Sequence, residues 1–184
     1  MKGFLLAIIL CTCVAGVSAQ HGIGSIRTGV SYAHDFPGLN GYSIHGEFLK
    51  PFNDKIEFGM GLRYSNMSGN PRSPNADEYT KSTNLDLHLY FLPVNTEQHA
   101  IRIGAGYSFA FYSMQRAYPQ FLHNTEGTAT WITTSDKGKN KWFSVIGEYE
   151  YRIPNTIFSA GIRGSFFKAY DGISTLGVFG SVQL

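Results

Sequence analysis

The sequence predicts an all-β fold, an eight-stranded antiparallel up-and-down transmembrane β-barrel. Three observations carry that prediction. Apolar and polar residues alternate with period two along eight segments. The connections between the segments alternate between short and long. Charge in the middle of the segments falls on one face only. The composition agrees: 15% of the 184 residues are aromatic and only 15% are charged, against a usual charged share of ~25%. Mean hydropathy is nevertheless −0.12, so the apolar residues are dispersed and not gathered into long runs. Many aromatics exclude intrinsic disorder. A net charge of +2 gives no broad basic field, so nucleic acid is not an expected partner.

The only long apolar run is N-terminal. Lys2 precedes an apolar stretch from Phe4 to Val14, and Val17-Ser18-Ala19 places small residues where a signal peptidase needs them. The expected division is a signal peptide at 1–19, cut before Gln20, and a barrel domain at 20–184. The run is shorter than the ~20 residues of a membrane-spanning helix. Cys11 and Cys13 both lie in the removed segment. Disulfides, thiol catalysis and cysteine metal sites are therefore not expected in the exported chain.

The first strand is expected at 25–33, with Ile26, Val30 and Tyr32 opposing Arg27, Gly29 and Ser31. The second, 41–50, sets Tyr42, Ile44 and Phe48 against Ser43, His45 and Glu47. In the third, 56–64, Ile56, Phe58, Met60, Leu62 and Tyr64 oppose Glu57, Gly59, Gly61 and Arg63. The fourth, 83–92, has Leu85, Leu87, Leu89 and Phe91 against Asp86, His88 and Tyr90. The fifth, 99–112, has Ile101, Ile103, Tyr107, Phe109 and Phe111 against Arg102, Gly104, Gly106 and Ser108. The sixth, 142–153, has Phe143, Val145, Tyr149, Tyr151 and Ile153 against Ser144, Glu148, Glu150 and Arg152. The seventh, 156–167, has Phe158, Ala160, Ile162 and Phe166 against Ser159, Gly161, Arg163 and Ser165. The eighth, 174–184, has Leu176, Val178, Val182 and Leu184 against Thr175, Gly177, Ser181 and Gln183. Such alternation is that of strands with one apolar and one polar face. Leu49, Ile146, Phe167 and Phe179 break the pattern by falling on the polar face.

Short turns are expected at Pro51–Asp54, Pro93–Gln98 and Pro154–Asn155. Longer connections are expected at 34–40, 65–82, 113–141 and 168–173, the third being an irregular loop. Tight turns on one side and long loops on the other suit a sheet whose two ends face different compartments. A weak internal repeat, Ile56–Gly61 against Ile101–Gly106, points to repeated hairpins.

Arginine and lysine decide which face turns inward. Arg27, Arg63, Arg102, Arg152 and Arg163 lie mid-strand on the polar face, with Glu47, Glu57, Asp86, Glu148 and Glu150. The lysines fall in connections or at strand ends. A confined interior favours the planar guanidinium fork, which pairs bidentately with carboxylates. The expectation is a lumen filled by a salt-bridged network of these ten residues, with the facing glycines making room for guanidinium groups. The apolar face carries no charge, and its aromatics cluster near strand ends. Tyr32, Tyr42, Tyr64, Phe109, Phe111, Phe143 and Phe166 lie towards the long connections. Phe48, Phe58, Phe91, Tyr149, Tyr151 and Phe158 lie towards the short turns. Two aromatic girdles around an aliphatic band mark a lipid-facing wall. Closure is then required, because hydrocarbon leaves no backbone group free to stay unpaired.

On these residues the chain resembles small bacterial outer-membrane barrels. It looks like the OmpX family, the barrel portion of OmpA, and the outer-membrane β-barrel domain proteins of Bacteroidetes. The resemblance implies export to the cell outer membrane and passage through the barrel-assembly machinery. Val182-Gln183-Leu184 has the spacing of the family's C-terminal assembly signal, with Leu184 in place of the usual aromatic. No peptidoglycan-binding domain is expected after the last strand.

The expected role is non-enzymatic: a structural or surface-interaction barrel acting through long extracellular loops. No cofactor and no metal site are expected. His45 and His88 point inward by phase but lie on non-adjacent strands, which suits hydrogen-bonded lumen histidines. The expected partners are outer-membrane lipids and lipopolysaccharide, together with an extracellular protein or other surface ligand. Tyr118, Phe121, Trp131, Lys137, Lys139 and Lys141 in the long loop are the candidate contact residues. A narrow porin-like channel is the alternative. A second alternative is a lipid A-modifying hydrolase, because Arg63-Tyr64-Ser65-Asn66 is similar to the His-x-Ser-Asn stretch of PagL-type deacylases. Here Arg63 stands where the general-base histidine would be, and arginine cannot accept the serine proton at neutral pH.

Overall fold

The computed structural model describes residues 24–72, 76–121, 129–169 and 172–184, with backbone alone for Gln120, Phe121, Ala129 and Thr130. The expected signal peptide therefore lies outside the described residues. Eight strands follow in chain order: β1 (Ser25–Asp35), β2 (Asn40–Asn53), β3 (Ile56–Gly69), β4 (Glu78–Asn95), β5 (His99–Phe121), β6 (Ala129–Arg152), β7 (Phe158–Lys168) and β8 (Ile173–Gln183). Each pairs antiparallel with its sequence neighbours, and β1 pairs with β8 to close the ring.

Register fixes the shape of the barrel. From Val30 the ladder runs through Ile44, Tyr64 and Thr83 to Phe111. In the other direction it runs through Val178, Ile162 and Tyr149 to Ile101. The two walks reach β5 ten residues apart. With ordinary strand spacing and rise, that shear tilts the strands by about 40°, so each residue advances ~2.5 Å along the axis.

The strands extend further than period-two alternation indicated, mostly at the end away from the short turns, though β2 also runs to Asn53 and β4 to Asn95, past the prolines at which turns were expected. β3 runs on to Gly69, and β4 begins at Glu78. The largest difference is at 113–141. In place of an irregular loop, β5 and β6 form a continuous ladder from Ser113↔Lys137 to Phe121↔Ala129. Tyr118, Phe121, Trp131, Lys137, Lys139 and Lys141 are thus strand residues of a long hairpin. The reason is physical. Beyond the membrane both faces of a strand meet water, so no apolar side is required and the alternation disappears. What remains is β-propensity, carried by Thr130, Ile132, Thr133 and Thr134.

The predicted apolar face is the outer wall. Val30, Leu62, Leu89, Ile103, Ile162, Leu176 and Val178 are all more than half exposed. The girdle aromatics share that wall. Tyr32, Tyr42, Tyr64, Phe91, Phe143, Tyr149, Tyr151, Phe158 and Phe166 are exposed; Phe48, Phe58 and Phe109 are half-buried against neighbours on the same face. By the register and tilt, the band between the two girdles is roughly 20–25 Å tall, the height of a lipid-facing belt.

Leu49, Ile146, Phe167 and Phe179, the four pattern-breakers, all point into the lumen and are at most 4% exposed. Phe167 packs with Ala33, Leu39, Met67, Ala110, Trp142 and Ile173 in an apolar plug under the long-hairpin end. Leu49 and Ile146 pack with Tyr90 and Leu92 nearer the short turns.

Candidate functional site

The interior is the densest chemistry of the molecule. Period-two geometry sends Arg27, Glu47, Arg63, Asp86, His88, Arg102, Glu148, Glu150 and Arg163 into it from seven strands, and each is at most 4% exposed. Most form one branching chain of alternating charge. Glu57 accepts from Arg102 Nε at 2.6 Å, and Arg102 also donates to Glu150. Arg27 Nη2 donates to the same Glu150 oxygen at 2.7 Å, and Arg27 Nη1 donates to Glu148. Arg163 Nη1 lies 3.2 Å from Glu148 Oε1 and donates to Glu47 Oε2 at 2.8 Å. β8 joins through Ser181, which donates to Glu150 at 2.9 Å. β4 joins through Tyr90 and His88, both against Glu47, so every strand is cross-linked to others through the lumen.

Arg63 and Asp86 form a second unit. Arg63 Nε donates to Asp86 Oδ2 at 3.0 Å, and its guanidinium carbon lies 3.6 Å from the centroid of the Phe167 ring. The pair thus sits directly beneath the apolar plug. Arg63→Ala would leave Asp86 buried without its cation, and is expected to cost about 3 kcal/mol in urea unfolding from detergent micelles. An unchanged midpoint would show that the lumen network does not hold the barrel.

Arg152 does not enter this chain. It lies at the short-turn mouth and donates to Thr96 O at 2.6 Å and Asn95 Oδ1 at 2.8 Å. Near the strand end a guanidinium reaches the turn backbone more easily than the crowded lumen. Arg152, Glu57, Arg102 and Glu150 line a vestibule of about 440 Å³ at that mouth.

The glycines make room for rings, not for guanidinium groups as expected. A Cβ on Gly104 would stand 2.5 Å from Tyr90 Cδ1, and one on Gly59 2.6 Å from Glu47 Oε1 and 2.8 Å from Tyr90 Cε2. A Cβ on Gly29 would stand 2.6 Å from His45 Cε1. Flexible arginines can thread past a methyl group, whereas a rigid ring lying flat on the wall cannot. Gly104→Ala is expected to lose about 1–3 kcal/mol, and to lose little further stability when added to Tyr90→Ser, where the ring that the methyl group would strike is gone.

Both lumen histidines are buried. His88 Nδ1 lies 3.0 Å from Glu47 Oε1, and Nε2 lies 3.0 Å from Ser144 Oγ. Tyr90 OH also donates to Glu47 Oε1, at 2.8 Å. Ser144, His88 and Glu47 thus stand in the order of a hydroxyl, a base and an orienting carboxylate. Ser144 has no exposed surface, so no substrate carbonyl reaches it in this arrangement. The Arg63–Asn66 stretch is also internal: Ser65 has no exposed surface and donates to Ser43 Oγ at 3.2 Å. Among the described residues no group of three or more His, Cys, Asp or Glu side chains could hold a metal ion.

Sequence reasoning missed a further ionic layer at the hairpin end. Arg116 Nη2 donates to Asp35 at 2.9 Å, with Asp35 1% exposed. Arg72 donates to Glu78 at 3.2 Å. All four residues fell in segments read as connections. The even numbering of Glu78 and Arg116, continuous with lumen-facing Asp86 and Arg102, was the available signal.

The closed ring, its shear and the exposed apolar wall can be set beside known structures. The crystal structure of Neisserial surface protein A (NspA) superposes with a TM-score of 0.56 at 14% identity, over 88% of this chain and 97% of that one. The fold is that of a small outer-membrane β-barrel. Ail of Yersinia pestis (TM-score 0.48, 12% identity, 89% of this chain and 98% of that one) and the outer-membrane enzyme PagL (0.45, 12%, 87% and 99%) also match. No family profile and no curated sequence matches the chain. An integral barrel of this type resides in the bacterial outer membrane, with lipid against its apolar wall and buried salt bridges inside.

Proposed function

We propose that the barrel is a non-catalytic membrane anchor that presents the β5–β6 hairpin at the cell surface as a binding element. The observation that carries this reading is the hairpin itself. β5 continues past Gln115, its last residue paired with β4, and β6 begins well before Phe143, its first residue paired with β7. The paired segment rises roughly 20–30 Å above the outer girdle at the strand rise per residue. Its side chains include exposed Tyr118, Trp131 and Ile132, adjacent in register through Tyr118↔Ile132 and Pro119↔Trp131. Exposed aromatic and aliphatic groups on a paired ribbon suit contact with a protein or a polysaccharide.

The test compares intact cells displaying the wild-type chain with cells displaying Tyr118→Ser/Trp131→Ser. Adhesion to immobilised matrix protein and to sulfated polysaccharide is measured. The expected result is binding to one of the two surfaces, reduced at least tenfold by the double substitution. Binding that is absent, or equal for both chains, overturns the proposal.

The packed lumen supports the anchor role over the channel. In planar bilayers the wild-type protein is expected to show no discrete conductance steps. Lipid A recovered from cells overexpressing the chain is expected to keep all its acyl chains. Loss of one acyl chain would instead mark a hydrolase.

A further inference from the structure

The outer wall carries a charge asymmetry that neither the lumen nor the hairpin tip explains. Lys81, Lys137, Lys139 and Lys141 are exposed. Their odd positions place them on the lipid-facing side of β4 and β6, in line with Leu85, Phe143 and Val145 below. Register groups them. Lys81 pairs with Ser113, and Ser113 with Lys137. One row down Phe111 faces Lys139, and one row further Phe109 faces Lys141. Lys168 of β7 pairs with Phe143 and completes the set.

Depth is fixed by the same register. Lys141 and Lys139 lie two and four residues beyond the girdle residue Phe143 on the same face. At ~2.5 Å per residue along the axis they stand about 5 and 10 Å above it. That is headgroup depth. Three of the ammonium groups lean on aromatic rings: Lys139 Nζ is 5.4 Å from the Phe111 centroid, Lys141 Nζ 5.6 Å from Phe109, and Lys81 Nζ 5.4 Å from Tyr79. These contacts leave the outward side of each cation open. Among the described residues none of the five is paired with a carboxylate. The carboxylate within this part of β6, Asp136, accepts the Tyr112 hydroxyl at 3.1 Å.

Ordinary interfacial lysines snorkel to the nearest water and need no partner. Such anchors have no reason to gather in one sector. At the same level β1, β2, β3 and β8 present Tyr32, His34, Asn40, Tyr42, Tyr64, Asn66 and Ser174 but no lysine. The lysines occupy only the arc from β4 to β7. There β6 has no β7 partner above Phe143, so the wall leaves lateral room for a bulky headgroup.

We infer that the outer face of β4–β7, through Lys81, Lys137, Lys139, Lys141 and Lys168, binds the phosphate monoesters of an outer-leaflet lipid. The site is independent of whatever the hairpin tip contacts. Several point charges on flexible stems, spaced along one strand face, match a headgroup carrying more than one phosphate.

The test uses the full barrel in nanodiscs doped with bisphosphorylated lipid A or with the same lipid after phosphatase treatment. Retained lipid is counted by native mass spectrometry. The wild-type protein is expected to retain the phosphorylated form at least tenfold more than the dephosphorylated one. Lys137→Ser/Lys139→Ser/Lys141→Ser is expected to lose that preference, while Lys50→Ser/Lys55→Ser at the opposite rim keeps it. Heat-modifiability on a gel checks that each variant is folded. Equal retention of the two lipids by the wild type, or retention of neither, overturns the site without reference to any variant. Displacement of the lipid by 10 mM inorganic phosphate would show a free-phosphate site and overturn the lipid assignment. An unchanged preference in the triple variant would also contradict it.

Discussion

Glu47→Ala is expected to be the most damaging single substitution in the lumen, at about 5 kcal/mol. Glu47 is 4% exposed and accepts from three groups, Arg163, Tyr90 and the His88 edge, each from a different strand or position. Its removal leaves the Arg163 guanidinium buried, with only the 3.2 Å approach to Glu148 remaining. A buried ion left without its partner costs far more than the intact pair contributes. Glu47→Gln keeps the shape and two acceptor contacts, so it should lose roughly half as much. Urea unfolding in micelles, read by tryptophan fluorescence, checks both values. A loss below about 1 kcal/mol for Glu47→Ala would place this carboxylate among weak surface pairs.

Phe167→Ala is the second large effect, at about 3–5 kcal/mol. The ring has no exposed surface and lies at the centre of the apolar plug with Met67, Trp142 and Ile173. It also carries the Arg63 guanidinium at 3.6 Å. Truncation creates a cavity and removes that cation–ring contact together. The two losses are coupled, because Arg63 holds Asp86 just below. The double variant Phe167→Ala/Arg63→Ala should therefore cost less than the sum of the singles. Strict additivity would show that the plug and the ion pair are independent layers.

The membrane-spanning part of the fold was legible because lipid outside and packed charge inside force opposite faces on every strand. Glu47, Arg63, Asp86, Arg102, Glu148, Glu150 and Arg163 fall on the interior by phase alone. What was not legible follows from the same physics. Above the outer girdle the β5–β6 hairpin has no hydrocarbon against either face, so Lys137, Lys139 and Lys141 read as loop. Arg116 and Asp35 went unnoticed for the same reason, although their lumen phase continues from the membrane segment. Leu49, Ile146, Phe167 and Phe179 looked like exceptions because a period-two reading assumes a uniformly polar lumen. A narrow barrel has room for apolar layers as well, and it uses these side chains to close its ends. The role of Arg152 depends on the reach of one side chain towards the Thr96 turn, which alternation does not encode. The Ser144–His88–Glu47 alignment joins three non-adjacent strands, and only the closed ring brings it together.

The odd-numbered face of β5 meets hydrocarbon. Single nitroxide labels at Ala105→Cys, Tyr107→Cys and Phe109→Cys, in a chain lacking Cys11 and Cys13 and reconstituted in bilayers, test it directly. Collision rates with oxygen, which concentrates in lipid, are compared with those of a water-soluble nickel chelate. Oxygen access is expected to lie far above nickel access at all three positions, peaking at Ala105 and Tyr107 in mid-band. Nickel access equal to or above oxygen access at Tyr107 would mean a water-facing wall, and would contradict the reading of this chain as a transmembrane barrel.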